Sequence, residues 1–188
     1  MKSEDISRRS FLKRAAALSA AAAIPSFWIP SKANAMPGVP FVSANEKVRI
    51  AFIGIGNRGG EIAQELYKTG LCEVVALCDV DMGAPHTQKL ISMFPKVPRF
   101  QDFRQMFDKM ADKIDAVTVG VPDHAHFPIT IEAMAHGKHV YVEKPMARTF
   151  QEIEVMMRAE KKFGVVTQMG NQGHSEANYF QFKAWKEA

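Results

Sequence analysis

Between residues 48 and 170, short apolar runs alternate with stretches of helical period, and this alternation restricts the fold more than any other feature of the chain. The runs are VRIAFIGIG (48–56), EVVALCDV (73–80), a short piece near Arg99, DAVTVGV (115–121), HVYVE (139–143) and VVTQMG (165–170). Several are apolar at consecutive positions rather than at every second one, so both faces are expected to be covered. Between them lie predicted helices over about 59–69, 87–94, 102–110, 124–136 and 149–163. Strands of this kind joined by helices form a parallel sheet with right-handed crossovers on both sides. The expectation is an α/β fold with a doubly wound, six-stranded parallel sheet. In QEIEVMMRAEKKF, residues Ile153, Met156, Met157 and Phe163 are assigned to the core face, opposite Glu and Lys.

The first strand runs into Gly54-Ile55-Gly56-Asn57-Arg58-Gly59, which leaves a strand and opens a helix. The three glycines serve different physical ends. Gly54 permits the tight turn, Gly56 lets a pyrophosphate approach the backbone, and Gly59 lets helix and strand pack closely. The helix then presents unpaired N–H groups to the phosphates. Asp79 ends the second strand 20 residues beyond Gly59, where an acid accepts hydrogen bonds from the hydroxyls of an adenosine ribose. Strand, loop, helix, strand and acid together indicate a dinucleotide site. A carboxylate repels the 2′-phosphate of NADP, and Asp79 is followed by Val80 and Asp81 with no Lys or Arg to receive it, so NAD is expected rather than NADP. His86 falls on the loop that follows.

A second cluster gathers at the ends of the fourth and fifth strands, the edge at which open α/β sheets bind ligands. It comprises Pro122-Asp123-His124-Ala125-His126 and Glu143-Lys144-Pro145. His124 and His126 lack an evident third ligand, so no metal is assigned. A lysine placed here can hydrogen-bond a hydroxyl being oxidised and stabilise developing alkoxide charge. GIGNRGG, CDVD, VPDHAH and above all VEKP resemble the glucose-fructose oxidoreductase and inositol dehydrogenase (Gfo/Idh/MocA) family over about residues 47–172. The resemblance implies a Rossmann nucleotide-binding domain over 47–172, with Lys144 and His126 as catalytic residues. Cofactor contacts are implied for Gly54, Gly56, Asn57, Arg58, Gly59, Asp79, Pro122, Asp123, Glu143 and Lys144. GNQGHS (170–175) stands where such proteins pass to a substrate domain, which adds Gln172 as a cofactor contact.

The overall charge of +4 belongs to the N-terminus. The first 35 residues carry six Lys or Arg and two acids, which leaves the remainder with equal numbers of each. A neutral body has no sequence-independent pull on nucleic acid. The first residues read as a basic head with the twin-arginine motif SRRSFLK (Ser7 to Lys13), an uncharged stretch, and Ala33-Asn34-Ala35 before Met36. Only 17 Ala-rich residues, with Pro25 among them, separate Arg14 from Lys32, too few for a spanning helix. Residues 1–35 are therefore expected to be a twin-arginine signal peptide directing the protein to the periplasm, and 36–46, rich in Pro, Gly and Ser, a linker. Cys72 and Cys78 lie on one strand about 20 Å apart and cannot bridge.

Members of the resembling family continue into an α+β substrate domain carrying sugar contacts, an acid/base pair and an oligomer interface. The segment EANYFQFKAWKEA reads as the start of a helix, and 173–188 as the beginning of that domain, the rest of which is not encoded here. The expected function is an exported NAD-dependent oxidoreductase acting on the CH–OH group of a sugar-like small molecule. It is expected to be a homo-oligomer in full-length form and inactive as this fragment. The alternatives are an NAD-dependent glycoside hydrolase with transient sugar oxidation and a noncatalytic dinucleotide-binding module.

Overall fold

The computed structural model describes residues 47–187, and the signal peptide and linker expected over 1–46 lie outside them. Six strands form one parallel sheet: β1 (Val48–Ile53), β2 (Cys72–Cys78), β3 (Arg99–Phe100), β4 (Ala116–Val119), β5 (His139–Glu143) and β6 (Thr167–Gly170). Their spatial order is β3-β2-β1-β4-β5-β6, with every neighbouring pair parallel. The direction of winding reverses between β1 and β4, which opens a crevice at their C-terminal ends. The connecting helices are α1 (Asn57–Lys68), α2 (Gln88–Met93), α3 (Phe103–Met110), α4 (His126–Ala135) and α5 (Phe150–Phe163), followed by α6 (Ala177–Glu187).

The consecutive apolar residues of each strand divide between two cores. In β1, Ala51 and Ile53 join Met106, Phe107, Val117, Val119, Met134, Val142 and Met156 on one face. Ile50 and Phe52 join Ala63, Leu77 and Leu90 on the other. The side-chain period of two sends neighbours to opposite faces, so a run apolar at every position serves both layers.

Some elements are shorter than the sequence runs, for local reasons. β1 ends at Ile53 because Gly54 adopts φ +78° and turns the chain. The region expected as a helix over 124–136 opens with a 3₁₀ turn at Asp123–Ala125 and becomes α-helical at His126, with Pro128 in its first turn. α5 begins at a capping box: the Thr149 hydroxyl accepts from the Glu152 N–H at 3.2 Å, and the Glu152 carboxylate accepts from the Thr149 N–H at 3.2 Å. Its core face holds Met156, with Ile153 and Phe163 partly covered, but Met157 is 54% exposed and does not belong to that face as assigned. Among the described residues no helix is long and apolar enough to cross a membrane.

Candidate active site

A cleft of about 680 Å³ lies at the C-terminal ends of β1, β2 and β4. Gly54, Gly56, Asn57, Arg58, Asp79 and Pro122 line it, all six of them anticipated from sequence. Its tightest wall is the crossing of the first turn with the loop after β4. A Cβ on Gly59 would overlap the Gly54 carbonyl oxygen and stand 2.9 Å from that of Gly120, so this approach requires glycine. Asn57 has φ +41°, which asparagine tolerates better than most residues.

Asp79, expected to face a ribose, also has a structural part. Its Oδ2 accepts from the Ile55 N–H at 2.9 Å and its Oδ1 from the Asp81 N–H at 3.0 Å, so the carboxylate ties the glycine turn to the loop after β2. Each oxygen keeps a lone pair for a further donor.

Gly56 is open in conformation but not in space. Its φ of −92° and ψ of 162° are open to any residue, so conformation does not demand glycine there. A Cβ would overlap Cδ2 of His86, and the space beside Gly56 belongs to that imidazole. Sequence reasoning places His86 on a loop and gives it no role. It also weighs His124, another residue lining the cleft, only as a metal ligand, a role it does not assign.

The second cluster divides: Pro122 and His124 line the cleft, whereas Glu143 and Lys144, at the end of β5, and Gln172, after β6, lie outside its lining. Glu143 is 5% exposed, and its Oε1 has no hydrogen-bond partner among the described residues. Arg58 Nε stands 3.4 Å from that oxygen, an ion pair without hydrogen-bond geometry, while the other oxygen is 3.3 Å from the Lys144 N–H. Gln172, in the short turn after β6, also has a buried side-chain oxygen without a partner. Lys144 and Asp123 are exposed.

His126 does not stand where catalysis would need it. It is 1% exposed, with Nδ1 2.6 Å from the Pro145 carbonyl and Nε2 2.8 Å from the Val121 carbonyl. A neutral imidazole donates to one of these at a time. The ring therefore clamps the loop after β4 to the turn that carries Lys144. It is a positioning residue, and the assignment of His126 to catalysis is corrected: neither nitrogen faces the crevice.

These features fit a dinucleotide. Close glycine packing and a helix N-terminus could receive phosphates, Asp79 has lone pairs free for ribose hydroxyls, and among the described residues the buried side-chain oxygens Glu143 Oε1 and Gln172 Oε1 have no donor. Residues 48–171 match the Gfo/Idh/MocA oxidoreductase family, NAD-binding Rossmann fold. The chain belongs to this family. NAD is accordingly its cofactor.

Among curated relatives, an α-N-acetylgalactosaminidase of Shewanella oneidensis is 29% identical over 220 aligned positions, covering 97% of this chain and 48% of that protein. A glycosyl hydrolase family 109 protein of Shewanella baltica is 30% identical over 174, covering 84% and 38%. The chain thus spans about half the length, or less, of the curated relatives it matches. The fold is shared with myo-inositol 2-dehydrogenase of Lactobacillus plantarum, with a TM-score of 0.66 and 24% identity over 76% of this chain and 41% of that one. It is shared equally with the WlbA dehydrogenase of Thermus thermophilus, solved with NAD and UDP-GlcNAcA, with a TM-score of 0.66 and 21% identity over 73% and 46%.

Proposed function

We propose that this chain is the cofactor-binding part of an exported NAD-dependent oxidoreductase acting on the CH–OH group of a sugar or sugar derivative. One observation carries the reading: at the end of β5 an exposed Lys144 adjoins a buried Glu143 with an unpartnered oxygen, on the edge that holds the dinucleotide crevice. Bound NAD supplies the hydride acceptor. Lys144 hydrogen-bonds the hydroxyl of the carbon being oxidised and stabilises its developing negative charge. Glu143 and Gln172 offer acceptors that orient the nicotinamide nucleotide. The hydroxyl proton passes to a base belonging to the substrate pocket. The partners that accompany this reading are a small sugar-like molecule, the twin-arginine export machinery and further copies of the protein.

A second reading is favoured by the relatives named for hydrolysis, the α-N-acetylgalactosaminidase among them. There the same residues would assist a transient oxidation of the sugar for which bound NAD would be the hydride acceptor, the hydride being returned within one cycle. A form extended to the length of those relatives separates the two. Reduced cofactor accumulating with an oxidised sugar supports net oxidation; a released sugar with no net change in cofactor supports hydrolysis. NAD binding without either reaction leaves a noncatalytic dinucleotide module. In that extended form Lys144→Ala is expected to lower kcat about 100-fold with NAD affinity little changed, and near-normal turnover would remove Lys144 from the reaction. Asp79→Ala is expected to weaken NAD and narrow its advantage over NADP. Export is tested by mass spectrometry: the exported protein should begin at Met36, and replacing Arg8 and Arg9 by Lys should hold the precursor in the cytoplasm.

A further inference from the structure

We infer that His86 is a pyrophosphate-contacting residue of the dinucleotide site, forming with Gly56 a matched pair that closes the phosphate pocket from the β2 side. The inference rests on the reading of the cleft as an NAD site and adds to it a residue from outside the glycine motif.

Gly56 adopts a conformation that any residue accepts, so its glycine is explained by space alone. The imidazole of His86 fills that space: a Cβ on Gly56 would overlap Cδ2 and lie 2.8 Å from Nε2. The Nε2 edge lies beside Gly56, the residue that opens α1, whose unpaired N–H groups are the natural seat of a pyrophosphate. Two donors then converge on the same anion from different elements.

The loop that delivers the ring is fixed at its base. Asp79 Oδ1 accepts from the Asp81 N–H at 3.0 Å, and Asp81 Oδ1 from the Gly83 N–H at 3.1 Å. Thr87, fully buried, donates its hydroxyl to the Ala84 carbonyl at 2.8 Å, and Gln88 Nε2 donates to the Met82 carbonyl at 2.8 Å. The imidazole itself is exposed, lines the cleft and makes no hydrogen bond among the described residues. A side chain anchored at its root and unpartnered at its tip, with the tip in the cleft, is placed for a ligand. An Nε2–H directed at a phosphoryl oxygen makes the stronger kind of hydrogen bond, one to a charged acceptor.

Titration calorimetry of the 188-residue chain with NAD and with ADP-ribose, which retains the pyrophosphate but lacks nicotinamide, tests the assignment. His86→Ala is expected to weaken both ligands about tenfold or more, as for loss of one hydrogen bond to a charged group. His86→Gln restores an N–H at similar reach and should recover most of that loss. Thermal unfolding without ligand should be the same for all three proteins, since the ring is exposed. Unchanged affinity in His86→Ala overturns the proposal, and so does tighter binding, which would make the ring a plug. Weakening of NAD but not of ADP-ribose also overturns it, by placing the effect at the nicotinamide. If the parent chain binds neither ligand, the dinucleotide reading of this chain falls and takes the proposal with it. The other adverse outcomes overturn the proposal alone.

Discussion

Two acid–arginine pairs occupy opposite edges of the same sheet and are built differently. Asp115 precedes β4 at the N-terminal edge, Glu143 ends β5 at the C-terminal edge, and each is 5% exposed. Asp115 receives the Arg49 guanidinium at 2.6 and 3.0 Å and the Arg49 backbone N–H at 2.9 Å. Glu143 has Arg58 at 3.4 Å without hydrogen-bond geometry and one oxygen with no partner. A buried carboxylate oxygen left without a donor costs stability, so equal burial with unequal satisfaction separates a group that holds the fold from one that waits for a ligand. The Asp115 carboxylate is satisfied within the chain, whereas the Glu143 carboxylate is satisfied at only one of its oxygens among the described residues.

The largest expected effect compares the packing at the glycine turn with that around Glu143. Gly59→Ala sets a methyl group against two backbone carbonyls, those of Gly54 and Gly120, which cannot move without separating α1 from β1 and β4. A loss of about 3 kcal/mol or failure to fold is expected, read as the midpoint of urea unfolding. Gly170→Ala is the counterpart at the open end, where a Cβ would stand 2.5 Å from Glu143 Oε1 and 2.8 Å from the Tyr141 hydroxyl. These are tips of side chains that can turn aside, so the loss should be well under half as large. Equal losses would mean that the β5–β6 end is as closed as the glycine end.

Next in size is Asp115→Asn, expected to cost about 2 kcal/mol, below the full penalty for a broken buried pair because the Arg49 side chain is 35% exposed and regains water. Burial alone would raise the Asp115 carboxyl, but the hydrogen bonds and charge of Arg49 more than offset it and hold it below its ordinary value. A carboxyl depressed by folding contributes stability above its unfolded pKa, and the contribution is lost as pH falls through the lower folded value. The stability gap between parent and variant should therefore stay constant near neutrality and narrow once pH drops below about 4. A gap that widens on acidification would show that the pair does not stabilise the fold in this way.

What sequence could reach and what it could not divide along the same line of locality. The sheet was legible because runs such as VRIAFI and HVYVE are apolar at successive positions, a pattern only a two-faced sheet uses well. Gly54, Gly59 and Asp79 could be singled out because a strand–turn–helix–strand unit repeats their spacing, although Gly59 also packs on Gly120 from the loop after β4. The imidazole beside Gly56, the reach of Arg58 to Glu143 and the clamp made by His126 join residues 30, 85 and 19 positions apart. No spacing rule encodes those contacts, since loop paths and helix packing decide them. His126 shows the consequence: the family resemblance implied a catalytic role, and tertiary packing directs both of its nitrogens to backbone carbonyls.

Glu143→Gln addresses the acid itself. An isosteric amide removes the charge but keeps the shape, and because the carboxylate makes no close hydrogen bond with Arg58, stability should change by less than about 1 kcal/mol. NAD affinity should fall several-fold, since an amide is a weaker acceptor than a carboxylate for a ribose or amide donor. The corresponding change at the other edge, Asp115→Asn, should leave NAD affinity as it is. If both variants lose stability alike and neither loses affinity, the two acids play the same structural part.

The smallest effect belongs to Arg58→Gln, and it decides whether the Arg58–Glu143 pair stabilises the resting fold at all. The Arg58 side chain is 44% exposed and also meets Glu61 at 3.1 Å, one turn along α1. Exposed pairs of this kind contribute a few tenths of a kcal/mol, because side-chain entropy and solvent screening consume most of the attraction. Its 3.4 Å approach to Glu143 adds charge neutralisation without a hydrogen bond. The change in unfolding free energy without ligand should thus be under about 0.5 kcal/mol, far below that for Arg49→Gln, which removes two side-chain hydrogen bonds to a carboxylate. Measured as a double-mutant cycle, Arg58 and Glu143 should show almost no coupling in the free protein, whereas Arg49 and Asp115 should be strongly coupled. Strong coupling between Arg58 and Glu143 would mean that this edge, too, is closed before any ligand arrives.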